Sequence, residues 1–178
     1  MDQQLWDDCV KFHGHACGGL ASGYRAAEVA ASILGFELGR TGDEDIVCVA
    51  ENDACGVDSI QCLLSCTVGK GNMILRPRGK SAYSFFDRNT GKSVRLVLRP
   101  IDRKSMTKEQ IIGYIMNSPA ESIFDIKDVG FQLPERARMF GNRTCECCGE
   151  SAREDLVRFQ DGKVVCLDCF RGYDRGWM

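Results

Sequence analysis

The spacing of apolar residues along the chain predicts three main helices. Leu, Ala and Tyr side chains recur at helical intervals over 18–34, a segment that is rich in alanine. A second apolar face of helical period runs over 57–66. The third predicted helix covers 107–117, where Thr107 and Gln110 have the spacing of a capping box.

Short segments rich in β-branched and aromatic residues alternate with these helices and predict strands. The predicted strands cover 46–50, 73–75, 82–87, 93–98 and 126–131. A turn at 88–91 joins two of them into a hairpin, a polar loop is expected at 39–45, and a further short helix is expected over 134–139. Because helices and strands are mixed and a hairpin is present, the pattern favours an α+β fold.

Four cysteines near the C-terminus form the most specific pattern in the chain. Cys145 and Cys148 make one CxxC pair, Cys166 and Cys169 make a second, and 17 residues lie between the pairs. Two thiolates three residues apart reach one metal when the backbone turns between them, and two such turns build the closed tetrahedral shell of a structural zinc site. Cys147 is an alternative ligand, although only Cys145 completes a CxxC with Cys148.

This C-terminal segment is too short to build an adequate apolar core, so bound zinc would supply much of its folding free energy. We therefore expect two domains. A mixed helix and sheet core domain is predicted over 1–141, and a small zinc-ribbon-like domain over 142–178.

The cysteine content also bears on the compartment. The chain of 178 residues has 11 cysteines, an odd number that argues against a fully paired disulfide framework. It opens with an acidic stretch that does not resemble a secretory signal, and no run approaches the roughly 18 apolar residues of a membrane helix. We therefore expect a cytoplasmic protein with reduced thiols and no membrane partner.

Charge is distributed in blocks, although the formal net charge is only −2. Residues 1–69 carry 3 Lys or Arg against 11 Asp or Glu, whereas residues 70–104 carry 10 against 2. The basic block fits an anionic ligand or nucleic acid, or a solvated strand face beside the acidic block, and we favour the strand face. Lys70 lies in a glycine-containing segment without phosphate-loop spacing, and it remains a candidate contact for an anion.

Both histidines of the chain lie around one cysteine near the N-terminus. His13, His15 and Cys17 alternate, so an extended backbone would project all three to one side. Cys17 directly precedes a predicted helix, whose N-terminus favours a thiolate. His15, Cys17 and Cys55, which follows a predicted strand, predict a second metal site that holds a transition metal. His13 is expected there either as a further ligand or as a residue that supports one. The alternative is an enzyme site in which Cys17 is a nucleophile or redox group and His15 is a base.

The remaining cysteines carry weaker indications. Cys48 lies inside an apolar predicted strand and is expected in the core. Cys62 and Cys66 favour packing within a predicted helix, and the role of Cys9 stays open. Asp58 is expected near a helix start, as a partner of Cys55 on one helix face or as a cap.

Four ordered segments resemble the family of the formylmethanofuran dehydrogenase E subunit. They are FHGHACGGL at 12–20, GYR at 23–25, CGVDSIQ at 55–61 and CTVGKGN at 66–72, and the C-terminal zinc ribbon is also similar to that of many members. Gly18 departs from the family, which usually has proline at that place in its HGHxCPG motif. The resemblance implies an α+β core, often dimeric, with the histidine–cysteine motif and the cysteine of the third segment beside a metal-bearing cleft.

The resemblance also implies an association with molybdenum or tungsten formylmethanofuran dehydrogenases. We therefore expect a metal-binding protein with a structural zinc and a second transition metal. Its expected role is accessory to a molybdenum, tungsten or one-carbon oxidoreductase system, as a homodimer or within a larger oxidoreductase complex. One alternative is a regulatory or interaction module whose ribbon contacts protein or nucleic acid, and the other is the Cys17 enzyme. Whether the chain is itself part of an oxidoreductase stays open at this point.

Overall fold

Helices and a mixed sheet build the larger part of the chain. The structure is a computed structural model that describes residues 1–39, 44–102 and 104–173. The chain divides into two compact units, Met1–Ala137 and Arg138–Met178. The helices of the first unit are α1 (Gln3–His13), α2 (Gly18–Leu34), α3 (Gly56–Leu64), α4 (Lys108–Asn117) and α5 (Ala120–Ile123). Its strands are β1 (Ile46–Ala50), β2 (Met73–Leu75), β3 (Ala82–Asp87), β4 (Ser93–Leu98) and β5 (Phe124–Lys127).

These strands form one five-stranded sheet in the order β2-β1-β3-β4-β5. β1 and β2 are parallel, with Cys48 in register with Met73, and α3 provides the crossover that a parallel pair needs. The other neighbouring strands are antiparallel. This arrangement confirms the predicted α+β class.

Alternate residues of the strands face opposite sides of the sheet. Cys48, Tyr83, Phe85 and Leu96 join the main core, together with the buried faces of the helices. Val47, Val49 and Phe86 form a smaller cluster, against which Ile74, Val129 and Phe131 pack. The helices therefore cover one face of the sheet, and the chain after β5 partly covers the other.

Helices α2 and α3 touch backbone to backbone at two glycines. A Cβ added at Gly23 would overlap the carbonyl group of Gly56, and a Cβ added at Gly56 would overlap the Tyr83 hydroxyl. The Ser59 hydroxyl donates a 2.7 Å hydrogen bond to the Leu20 carbonyl beside this contact. The first turn of α3 is thereby held against the beginning of α2, where the histidine–cysteine segment ends.

Several predicted elements agree closely with the structure. The helix over 18–34 and the strands over 46–50, 73–75, 82–87 and 93–98 have the observed bounds. Thr107 caps α4, and its capping box with Gln110 is formed by 3.2 Å and 2.8 Å hydrogen bonds. The predicted loop at 39–45 falls largely on residues 40–43, which lie outside the described part of the chain.

Other predicted elements were wrong or displaced. The second helix ends at Leu64 because Ser65 adopts a left-handed conformation, with φ 51°. The last strand of the sheet covers Phe124–Lys127 instead of 126–131. Residues 134–139 form no helix, since nearly all of this segment is exposed and offers no apolar face to bury. The short helix α5 was not predicted.

Helix α1 was also missed, because most of its residues are polar and only Trp6 and Cys9 are buried. The Asp2 side chain caps it by accepting from the Leu5 N–H at 3.2 Å. Trp6 packs edge-on against Tyr24 of α2, with ring centroids 5.7 Å apart. No helix in the described part of the chain is both long and apolar enough to cross a membrane.

We predict that Gly23→Ala destabilises the first unit, because the added methyl group must separate α2 from the Gly56 backbone. Overpacking of this kind costs about 1–3 kcal/mol. Urea unfolding of the full chain, followed by the helical circular dichroism signal, measures the change.

The matched control is Gly113→Ala in the interior of α4, where a Cβ would meet no atom within 4 Å. Alanine should raise the free energy of unfolding there by up to about 1 kcal/mol, through its higher helix propensity. Equal midpoints for Gly23→Ala and the wild type would show that the two helices do not depend on this contact.

Candidate metal centres

The two histidines and Cys17 converge at the junction of α1 and α2. The nitrogen atoms of His13 and His15 and the Cys17 sulfur lie within 4.8 Å of one another. The predicted extended backbone was wrong, since His13 is the last residue of α1 and Gly14 follows in a left-handed conformation with φ 94°. The chain therefore brings the three groups together by a turn, and the two imidazole rings lie 4.6 Å apart between centroids.

Asp58 fixes the orientation of the His13 ring. Its Oδ2 lies 2.7 Å from His13 Nδ1, and its Oδ1 accepts a 3.4 Å hydrogen bond from Gln61. Because an ionised carboxylate can only accept, Nδ1 is the donor in this contact, and Nε2 is the ring nitrogen that remains for a metal. Nε2 faces the Cys17 sulfur at 3.9 Å. A carboxylate that orients a histidine in this way is the usual support of a metal-binding imidazole.

Cys17 occupies the N-cap position of α2. Its sulfur accepts a 3.3 Å hydrogen bond from the Leu20 N–H. The positive end of the helix dipole and this N–H would both stabilise negative charge on the sulfur if Cys17 bound a metal.

Cys55 lies next to this group, but outside the set of three. A Cβ built on Gly19 would lie 3.5 Å from the Cys55 sulfur and 3.8 Å from the Cys17 sulfur, so both thiols meet over that glycine. Burial and the neighbouring Cys17 thiol raise the pKa of the Cys55 thiol. The same Cβ would lie 3.1 Å from the Cys55 Cβ, so a larger residue at position 19 would displace Cys55 by a few tenths of an ångström.

A cleft of about 380 Å³ opens beside these groups. Its lining includes His15, Cys17, Cys55, Asn52 and Tyr83. Burial raises the pKa of Tyr83 to about 12, so its hydroxyl stays protonated at neutral pH. Tyr83 was not singled out in the sequence, because an aromatic residue in an apolar strand has the pattern of a core residue.

Gly18 has a structural reason to differ from the proline that is usual in the family. A Cβ at this position would lie 2.7 Å from Cγ2 of Ile111 in α4. The branched side chain of Ile111 therefore occupies the space that the proline ring would need, and α4 packs against the start of α2.

The second unit brings the four predicted zinc ligands together. The sulfur atoms of Cys145, Cys148, Cys166 and Cys169 lie within 4.8 Å of one another, and we call them the four-cysteine group. The sulfurs of Cys148 and Cys166 are 3.9 Å apart, close to the edge of about 3.8 Å expected for a tetrahedron with zinc–sulfur bonds of about 2.3 Å. Cys147 is exposed and lies outside this group.

Two hairpins hold these cysteines. β6 (Asn142–Thr144) pairs with β7 (Ser151–Arg153), and β8 (Arg158–Gln160) pairs with β9 (Lys163–Val165). Backbone N–H groups of Cys148 and Cys166 donate to the Cys145 sulfur, which lowers the pKa of that thiol to about 6. These backbone hydrogen bonds favour the thiolate form of Cys145, which is the form that binds a metal.

The other cysteines are packed away from both groups. Burial raises the pKa of Cys9 and of Cys66 to about 12, and raises that of Cys48 well above its usual value. The Cys66 thiol donates a 3.1 Å hydrogen bond to the Ile46 carbonyl, and Cys62 lies close to Cys9.

Lys70 lies in the loop after α3 and does not line the cleft beside Cys17.

Comparison with known proteins gives one family match in each unit. Residues 12–127 match the family model described as "FmdE, Molybdenum formylmethanofuran dehydrogenase operon", and residues 138–175 match the prokaryotic dksA/traR C4-type zinc finger. A crystal structure described as a "tungsten formylmethanofuran dehydrogenase subunit e (fmde)-like protein", from Syntrophus aciditrophicus, has a similar fold. Its TM-score is 0.68 at 22% identity, over 94% of this chain and 90% of that one.

A curated protein of Archaeoglobus fulgidus, named "Probable S-adenosyl-L-methionine-binding protein", is 31% identical over 92% of this chain. The chain spans only 51% of that relative's length. The FmdE model, in contrast, matches well over half of this chain and includes the histidine–cysteine segment. The chain therefore belongs to the FmdE family, and a C4-type zinc finger follows its FmdE domain.

Proposed function

We propose that the chain is a metal-binding accessory protein that holds a transition metal in its core cleft, in addition to a structural zinc in the four-cysteine group. The observation that carries the proposal is the line of contacts from Asp58 through His13 to Cys17. The first contact orients the His13 ring, and the second places its Nε2 beside the Cys17 sulfur.

The donor set fits a metal of intermediate softness. Two imidazole nitrogens and one thiolate suit zinc, iron, cobalt or nickel better than magnesium or calcium. Three protein ligands leave one position of a tetrahedral shell open, which is the arrangement of reactive metal sites. Cys55 is close enough to Cys17 to be a fourth ligand or to adjoin that position. A metal held there would supply Lewis-acid or redox chemistry to a molecule in the cleft.

The family relationship supports a role beside a molybdenum or tungsten one-carbon oxidoreductase, and we propose that setting for this chain. Its predicted homodimer, its membership of a larger oxidoreductase complex and its cytoplasmic location stay predictions. We also propose that the boundary between the two domains lies between residues 141 and 142.

A second candidate function uses the same residues without a metal. Cys17 sits at a helix N-terminus with an imidazole nitrogen 3.9 Å from its sulfur, which is the pairing of an activated thiol nucleophile. In this version His13 is the base in contact with the sulfur, and His15 is the base that the sequence favoured. The two candidates predict different rates of alkylation at Cys17. A bound metal would block the sulfur and slow the reaction, whereas a neighbouring base would activate the sulfur and speed it.

We predict that the full chain binds about two metal ions, and that Cys17→Ser binds about one. Serine still caps α2, so the helix start should survive while the soft ligand is lost. Metal content measured by mass spectrometry after reconstitution with zinc or cobalt tests this.

Asp58→Asn should keep both sites but weaken metal binding at the core site about 10- to 100-fold, as measured by competition with a chelator.

The control is Cys62→Ser, which removes a partly buried thiol that belongs to neither group and should retain about two ions. A metal content that stays near two in both Cys17→Ser and Cys55→Ser would refute the core metal site. Rapid alkylation of Cys17 in fully metal-loaded protein would instead favour the nucleophile.

We further predict that chelation of the zinc unfolds the second unit and leaves the first unit folded. The buried cluster of the second unit consists of Cys145, Val165 and Cys166, so metal ligands are most of its core. Hydrogen exchange should show loss of amide protection over 142–165 on chelation and in Cys145→Ser. Cys147→Ser should behave as the wild type, because that thiol is exposed and outside the group. Unchanged protection after complete zinc removal would contradict the assignment.

A further inference from the structure

A basic cleft lies on the side of the sheet away from the main core. Its volume is about 520 Å³. Its lining includes Glu51, Arg76, Arg78, Lys80, Arg95 and Asp128. None of these residues belongs to either metal group, and neither proposed function uses them.

The backbone at the end of β1 places the cations of this basic cleft. The Arg76 N–H donates to the Ala50 carbonyl at 2.8 Å. The Glu51 carbonyl accepts from the N–H groups of both Arg78 and Lys80, at 2.8 Å and 3.4 Å. The segment after β2 is therefore fastened along the end of β1, with basic residues at every second position.

The floor of the basic cleft is an ion pair that is already satisfied. Arg95 on β4 donates to both carboxylate oxygens of Glu51, at 2.6 Å and 2.9 Å. These hydrogen bonds, helped by the charges of Lys80 and Arg76, hold the pKa of Glu51 below its usual value. Glu51 is nearly buried, at 8% exposure, so it stays ionised through its pairing with Arg95.

The lining of the basic cleft carries more positive than negative charge, even after the pairing of Arg95 with Glu51. Arg76, Arg78 and Lys80 are exposed, and the second lining carboxylate is Asp128. Four cations against two carboxylates leave an excess of two positive charges on the lining. The Arg76 guanidinium lies over the Phe131 ring, 5.4 Å from its centroid, which restrains that cation at the wall.

We propose that the basic cleft binds a small molecule that carries a phosphate or diphosphate group. A dianion matches the excess charge, and arginine forks match the geometry of phosphate oxygens. The volume lies within the range of roughly 300–1,000 Å³ found for small-molecule sites. Pre-paired Glu51 and Arg95 give the site a fixed floor, so binding requires little reorganisation. This proposal does not depend on the core metal.

Pyrophosphate is the probe, titrated into the full chain by isothermal calorimetry at low salt. We expect saturable binding with one site per chain. The double variant Arg78→Gln with Lys80→Gln should weaken it at least tenfold, and both changes are at exposed side chains that leave the core unaltered. The matched control is Lys92→Gln, an exposed cation of the β3–β4 turn, which should leave the affinity within about twofold.

Two results would overturn the proposal. One is the absence of saturable pyrophosphate binding to the wild type. The other is binding of a single-stranded oligonucleotide to a protein that does not bind pyrophosphate. In that case Lys92→Gln and the double variant would reduce the affinity for the oligonucleotide equally. The second outcome would mean that the basic segment acts as a diffuse polyanion surface, since every cation then contributes alike.

Discussion

The backbone contact between α2 and α3 at Gly23 and Gly56 is the constraint on which the core site depends. Because neither glycine has a side chain, the first turn of α3 lies directly against α2. This approach places Cys55 over Gly19, beside Cys17, and brings Asp58 of α3 to the end of α1. A wider separation of the helices would break the contact of Asp58 with His13 and separate the two thiols.

The two cysteine-containing groups are built by opposite physical means. In the second unit two hairpins with a very small core surround four sulfurs, and metal bonds must supply most of the stability. In the first unit the apolar core is large, and the ends of helices carry the candidate metal ligands. A closed shell of four thiolates suits a structural role, whereas a three-donor group at the edge of a cleft leaves room for a bound molecule.

Sequence patterns predicted β1 to β4 and the longest helix with accuracy, because their burial follows simple periods over contiguous residues. Helix α1 was not predicted, because it buries only Trp6 and Cys9 among polar neighbours. The meeting of His13, His15 and Cys17 was predicted from an extended backbone and is produced by a helix end and a left-handed glycine instead. Asp58 lies 45 residues from His13, so no local pattern could show that it orients that ring. The basic cleft likewise depends on pairing between distant strands, although its charges are visible in the sequence.

The central claim is that His13, His15 and Cys17 together hold a metal. An anomalous difference map from crystals of the metal-loaded full chain, recorded at the absorption edge of the metal supplied, tests it most directly. We expect two peaks per chain, one within the four-cysteine group and one at bonding distance from His13 Nε2 and the Cys17 sulfur, about 2.0–2.1 Å and 2.3 Å for zinc. A single peak at the four-cysteine group, in protein with the metal in excess, would contradict it.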